Sequence, residues 1–204
     1  DWCIATESAL EERPPPPAGV HGGLPIRVLP HGPDEETDRL FAVFTAAICR
    51  ARREVLLVTP YFVPSGTMRD ALRQAALGGV RVRLLLPARS DNVVADLAAR
   101  RALEPILEAG ADVRLAEGPF LHAKALVVDG AWSTFGSANF DQRSFHCNYE
   151  MNLEVPDADF AAALERHLAP DLANSRRLDP ELFARRSIWS RALQNAANLF
   201  EPLL

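Results

Sequence analysis

The chain has 204 residues, 48% of them hydrophobic and 24% charged, enough for one domain or two small ones with a substantial core. Its 22 basic and 27 acidic residues leave a net charge of −5. This composition excludes collagen-like, disordered and disulfide-scaffold classes, and it lacks the basic excess of a nucleic-acid-binding module, so no nucleic-acid partner is expected. Cys3, Cys49 and Cys147 are odd in number and widely spaced, with no CxxC pair. They fit neither a disulfide framework nor a structural zinc site and read as small, mostly buried thiols; no metal is expected. The apolar runs, such as Val55 to Val58 and Leu84 to Leu86, are strand-length and far short of the roughly 20 residues of a membrane span. No signal peptide is recognisable, and a start at Asp1 rather than Met reads as a piece of a longer protein.

Residues 1–25 form a connector: Pro14 to Pro17 are consecutive prolines, followed by Gly19, Gly22, Gly23 and Pro25. A segment of this kind is stiff, then flexible, and cannot enter a sheet. From residue 26 to 204 strand and helix signals alternate. Ile26 to Leu29 reads as a strand, and Asp34 to Ala51 as a helix with Leu40, Phe41, Phe44 and Ile48 on one face. Glu54 to Thr59 is a buried-type strand ended by Pro60. Ser65 caps a helix that runs to Leu77 and stops at Gly78-Gly79. Val80 to Leu86 is a strand, and Ser90-Asp91 opens a helical stretch to Ala109-Gly110, with an interruption expected near Pro105. Asp112 to Ala116 returns as a strand. This alternation predicts an α/β fold with a mixed sheet flanked by helices on both faces.

Beyond Gly118-Pro119 the strands crowd together, at Leu121 to Val128, Ala131 to Gly136 and Tyr149 to Val155. The tail is helical, over Asp157 to Ala173 and Ser187 to Leu204. In the last helix Trp189, Leu193, Ala196, Phe200 and Leu203 share a stripe that reads as core packing. Arg176, Arg177, Arg185 and Arg186 form two basic pairs, expected on solvated helix faces.

The chemistry concentrates in Leu121-His122-Ala123-Lys124-Ala125-Leu126-Val127-Val128-Asp129 and the following Gly136-Ser137-Ala138-Asn139. On a strand, residues two apart share a side, so His122 and Lys124 project together and Leu121, Ala123, Ala125 and Val127 face apolar packing. An imidazole beside an ammonium is a poor core choice and a good phosphate site: the imidazole attacks phosphorus or carries a proton, and the ammonium neutralises phosphoryl oxygens. Asp129-Gly130 is a hairpin turn, and the returning strand brings Ser137 and Asn139 back towards His122.

The HxK(x)4D pattern, with GSxN starting seven residues after the aspartate, resembles the signature of the phospholipase D superfamily. The wider sequence is similar to the C-terminal half of bacterial cardiolipin synthases. The similar stretches include Thr59-Pro60-Tyr61-Phe62-Val63-Pro64, Ser90-Asp91, Leu107 to Gly110, Gly136 to Asp141 with Arg143-Ser144, Asn148, Glu150, Asn152 and Glu201 to Leu204. The resemblance implies a phospholipase D-like catalytic domain over 26–204, with a helical tail. It also implies an active site in which two HxK motifs face each other. One histidine takes the phosphoryl group; the other protonates the leaving alcohol and activates the incoming one. It assigns His122, Lys124, Asp129 and Glu150 to the catalytic set, with Asp129 set back from the substrate and Glu150 bonded to the histidine ring. Ser137 and Asn139 would bind phosphate, and no cofactor is required. The implied reaction joins two phosphatidylglycerols into cardiolipin and glycerol at a bacterial plasma membrane. The alternatives are a hydrolytic phospholipase D and a homodimeric single-motif phosphodiesterase or nuclease. None of the other histidines begins a second HxK, so the chain carries half of such a site. The partner half would come from a missing N-terminal segment, which would also hold the membrane anchor, or from a second copy.

Overall fold

The computed structural model describes residues 23–34 and 38–198; residues 1–22, with Cys3 and most of the expected connector, and the last six residues, with Phe200 and Leu203, lie outside them. Among the described residues there are ten strands: β1 (Arg27–His31), β2 (Glu54–Val58), β3 (Phe62–Val63), β4 (Arg81–Pro87), β5 (Asp112–Ala116), β6 (Ala125–Val128), β7 (Trp132–Gly136), β8 (Phe140–Asp141), β9 (Glu150–Val155) and β10 (Ser175–Arg177). Seven helices accompany them: α1 (Arg39–Arg50), α2 (Gly66–Leu77), α3 (Val93–Glu108), α4 (Gln142–His146), α5 (Ala158–Ala173), α6 (Pro180–Ala184) and α7 (Ile188–Asn198). Eight strands form one sheet in the order β1-β9-β7-β6-β2-β4-β5-β10, and β3 pairs with β8 in a second, small one. β2–β4 and β4–β5 are parallel, while the remaining pairs of the large sheet are antiparallel.

The central strands are apolar on both sides because both faces are covered. On one face Leu57, Leu84 and Leu126 pack beneath Leu40, Phe44 and Ile48 of α1, Met68 and Leu72 of α2, and Leu103 and Ile106 of α3. On the other, Leu56, Val58, Leu85 and Val127 meet Ala161 and Leu168 of α5. The α/β sheet with helices on both faces is therefore the observed fold. Ser65 caps α2 as expected, its hydroxyl accepting from Met68 N.

Several expectations are corrected. α3 opens at Asn92 rather than at Ser90-Asp91, the Asn92 Oδ1 accepting from Val94 N at 3.0 Å and Ala95 N at 3.1 Å. Pro105 does not interrupt α3: the helix runs through it to Glu108, giving up the one bond that a residue-105 N–H would make to the Arg101 carbonyl, and Ala109 N bonds Pro105 O at 3.3 Å. β6 begins at Ala125, not Leu121, so His122 and Lys124 lie on the extended segment ahead of the ladder. β3, β8, β10, α4 and α6 are too short to carry a periodic signal. Cys49 and Cys147 are exposed rather than buried, Cys49 lying beside the buried Ile48 on α1 and Cys147 ending α4. Arg176 and Arg177 sit on the edge strand β10, and Arg186 is an internal tie rather than a solvated residue. The α7 stripe is also not core: Trp189 and Leu193 are exposed, and Gln194 and Ala197 are the buried residues.

Candidate active site

The site forms where β6, β7 and β9 end together. The turn Val128 to Ala131 closes with Ala131 N bonding Val128 O at 3.1 Å, and both Asp129 and Gly130 adopt positive φ (56° and 61°), the type I′ pattern. The hairpin returns Gly136 opposite Lys124, with Gly136 N to Lys124 O at 3.4 Å, and opposite Asn152 of β9. A side chain at residue 136 would place its Cβ 2.2 Å from Met151 O, so only glycine fits there. That contact is the physical reason for the first residue of GSxN.

Leu121 and Ala123 pack against the α5-side core, which turns His122 and Lys124 to the opposite side. His122 is exposed, with the Phe120 ring 5.8 Å from its own. The Lys124 ammonium folds over it: Nζ lies 3.3 Å from Nδ1 and 3.2 Å from Nε2, and donates to the His122 carbonyl at 2.9 Å. Burial lowers the pKa of Lys124, opposed by the nearby Glu150 and Asp141 carboxylates. An ammonium held against an imidazole with two carboxylates in range is organised to exchange its present partners for an anion.

Ser137 is held at both ends. Its Oγ accepts from Met151 N at 2.9 Å and donates to Glu150, whose second oxygen takes a bond from Asn148 Nδ2 at 3.2 Å. Among the described residues Glu150 makes no bond to His122. The anticipated pairing is therefore not formed here, and Lys124 is the polar side chain that meets the ring nitrogens. Asn139 is anchored through its backbone, N to Ser144 Oγ at 3.0 Å, and its side chain bonds Asp141. Its Oδ1 is buried without a partner among the described residues. Burial pushes the Asp141 carboxyl up to about 6, against the bonds it accepts from Ser144 and Asn139.

Asp129 stands apart from the other motif residues. It is seven residues from His122 at the far end of β6, about 23 Å along an extended chain. There Oδ1 accepts from Arg53 N at 2.7 Å, Glu54 N at 2.9 Å and Arg52 N at 3.2 Å, while Oδ2 takes Arg52 N at 3.0 Å. Burial raises its carboxyl, but these bonds and the Arg53 guanidinium outweigh it and hold the pKa below the ordinary value. Asp129 clamps the entry to β2 and does not reach the site.

Residues 44–172 match the family model described as "Cardiolipin synthase, PLD-like domain". The chain belongs to this family. Across 93% of its length it is 33% identical to the major cardiolipin synthase ClsA of Bacillus subtilis, of which it covers 39%. It is 34% identical, over its whole length, to a cardiolipin synthase of Geobacillus kaustophilus, covering 41% of that protein. The chain thus spans about two fifths of the curated relatives it matches. In fold it is similar to Nuc of Salmonella typhimurium, a phospholipase D family member (TM-score 0.65, 21% identity, 76% of this chain and 99% of that one). It is also similar to the phosphatidylserine synthase of Haemophilus influenzae (TM-score 0.70, 17% identity, 91% of this chain and 49% of that one).

In this member of the cardiolipin synthase PLD-like family, the support beneath the motif comes from residues given no individual role by the sequence. Thr59, 1% exposed at the end of β2, donates to Tyr61 O at 2.8 Å and accepts from Phe140 N at 3.0 Å, tying β2 to β8. Asn152 Oδ1 accepts from Ala138 N at 3.2 Å, and its Nδ2 reaches Thr134 Oγ1 at 3.3 Å. Asp141 Oδ1 caps α4 through Ser144 N at 2.7 Å. Tyr61 and Phe62 divide their roles. Phe62 is buried and stacks on Phe140 at 5.7 Å. Tyr61 donates to Asp91 Oδ1 at 2.6 Å, and that bond, followed by burial and the Asp91 and Asp141 charges, pushes its pKa up to about 12. His31, opposite Glu150 in the β1–β9 register, is buried with neither ring nitrogen bonded among the described residues. Its only sequence signal is a polar residue at an inward strand position. No group of three or more His, Cys, Asp or Glu side chains among the described residues is arranged to hold a metal ion.

Proposed function

We propose that the chain is the C-terminal catalytic half of a cardiolipin-forming phosphatidyltransferase, with residues 26–204 as its domain and 1–25 as the connector. The observation that carries this reading is the Lys124 ammonium resting on the His122 imidazole, in a chain one-third identical to cardiolipin synthases over nearly its whole length. The substrate is phosphatidylglycerol, and the enzyme works at a bacterial membrane. Among the described residues no helix is long and apolar enough to cross it.

The reaction exchanges one phosphodiester for another. The nucleophilic histidine of the partner half attacks phosphorus, a P–N bond forms, and the P–O bond to glycerol breaks as His122 gives that oxygen a proton. His122 then takes the proton from the primary hydroxyl of a second phosphatidylglycerol. The hydroxyl oxygen attacks, the P–N bond breaks, and cardiolipin is released. Lys124 leaves the imidazole to meet a phosphoryl oxygen, and Asn139 supplies its amide beside it. Ser137 and Glu150 hold this end of β7 and β9 in place around the pair. Asp129 belongs to the frame.

Protein carrying both half-sites, in phosphatidylglycerol membranes, is expected to yield cardiolipin and glycerol. His122→Ala is expected to lower the rate by about 10² to 10⁴, the usual contribution of a general acid–base group. Phosphatidic acid as the sole product would move the enzyme to the hydrolases. Unchanged turnover in His122→Ala would overturn the assignment.

A further inference from the structure

The terminal helix is built inside out. α7 meets α3 through Gln194 and Ala197, which are buried, and a polar tie fixes it there: Arg186 donates to Gln194 Oε1 and to Phe183 O, each at 2.6 Å, and its guanidinium lies 3.5 Å over the Phe183 ring. Gln194 Nε2 in turn reaches Ser190 Oγ at 3.1 Å. The large apolar side chains point the other way. Ile188 is 77% exposed, Trp189 82% and Leu193 57%, and Leu182 on α6 adds another at 66%. Trp189 and Leu193 are one turn apart and share a face. A helix that spends its apolar stripe on water, while docking through an amide and a guanidinium, has a second surface to bury.

Charge identifies that surface. In a chain of net charge −5, residues 175–190 hold four arginines against two carboxylates, Asp179 and Glu181; Arg186 is taken up in the internal tie, which leaves Arg176, Arg177 and Arg185 at the surface. The Arg185 side chain is exposed and only 3.9 Å from Glu181, a weak surface pair that does not hold it. Arg176 and Arg177 are exposed on β10, beside Glu117 and Asp112. Tryptophan with branched aliphatic residues, rimmed by arginine, is the pattern of a helix lying in a bilayer interface over anionic headgroups. The position suits such a role. Phe183 and Leu178 line a cavity of about 180 Å³ whose wall includes Tyr61, and the Tyr61 ring is 6.3 Å from Phe120, the neighbour of His122.

We infer that α6 and α7 form a membrane-docking face, with Leu182, Ile188, Trp189 and Leu193 entering the interface of an anionic phospholipid bilayer and Arg185 meeting its headgroups. The choice of a lipid partner rests on the phosphatidyltransferase reading above, but the binding does not require turnover.

The test is co-sedimentation of the 204-residue chain with phosphatidylcholine vesicles, with and without phosphatidylglycerol. Binding is expected to the phosphatidylglycerol vesicles. Ile188→Ser/Trp189→Ser/Leu193→Ser is expected to weaken it at least tenfold at an unchanged melting temperature, because none of the three side chains is buried. Brominated lipids are expected to quench Trp189 emission, and Trp189→Phe to bind equally while losing that quenching. Equal binding by the triple variant overturns the face. So does Trp189 shielded from an aqueous quencher before vesicles are added, together with a dimer that the triple variant dissociates, because the occupant is then a second copy. Vesicle binding without phosphatidyl transfer in an enzyme with both half-sites leaves this face standing and removes the reaction. Transfer in detergent micelles without vesicle binding does the reverse.

Discussion

Asp129 separates a framework role from a chemical one, and its replacement is the sharpest test of how the motif is built. Three consecutive backbone N–H groups, of Arg52, Arg53 and Glu54, converge on one carboxylate 75 to 77 residues further along the chain. Asp129→Ala removes all of these acceptors. The site is partly open to water, so each lost bond is counted at the ordinary net value of about 1 kcal/mol rather than the larger charged one, or about 3 kcal/mol together. Alanine in the left-handed conformation that Asp129 adopts adds about 1 kcal/mol more. A total of about 4 kcal/mol corresponds to a melting temperature lower by roughly 10 °C in a chain of this size. Asp129→Asn keeps one oxygen, which corresponds to Oδ1 and its three contacts, and tolerates the left-handed backbone; it is expected to lose about half as much. Urea denaturation followed by circular dichroism gives both values. Transfer activity, measured where each variant is fully folded, is expected to stay within a few-fold of wild type. A loss below about 1 kcal/mol in Asp129→Ala, with activity abolished in folded protein, would refute the reasoning and return Asp129 to the chemistry.

Two further outcomes follow from the residues beneath the motif. Burial raises Asp141 from 3.8 to about 6, so the fold favours its protonated form. Its favourable contribution is full below pH 3.8 and disappears as pH rises through 6. Relative to Asp141→Asn, wild type should therefore lose about 2 kcal/mol between pH 4 and 7, since each tenfold change in proton affinity on folding is worth about 1.4 kcal/mol and part of the span lies below pH 4. Denaturation of both proteins at the two pH values checks this, and a constant difference between them would contradict it. Thr59→Val fills the same space but leaves Phe140 N–H and Tyr61 C=O unpaired in the interior, which costs about 2 to 4 kcal/mol. Thr59→Ser should recover most of that, and equal stability of the valine and serine variants would show that the hydroxyl carries no weight.

The sequence by itself determined what is local. Alternation placed His122 and Lys124 on one side of an extended segment. Asp129-Gly130 named the turn, Ser65 and Asp157 the helix starts, and the apolar runs the buried strands, because each is a property of neighbours along the chain. The His122–Lys124 pair and the α/β class were legible for that reason.

What tertiary structure decided is what distant residues do to one another. Only the folded chain joins Asp129 to Arg52 through Glu54, Ser137 to Glu150, Thr59 to Phe140, and α7 to α3. Glu150 shows the limit: its position was legible, but its partners in the structure are Ser137 and Asn148, set by the β7–β9 register. The terminal stripe shows it again. A 3.6-residue period establishes that Trp189 and Leu193 share a face. Which way that face turns is set by the packing of α7 on the rest of the chain: Gln194, bonded by Arg186, and Ala197 take the buried side, and Trp189 and Leu193 are left exposed.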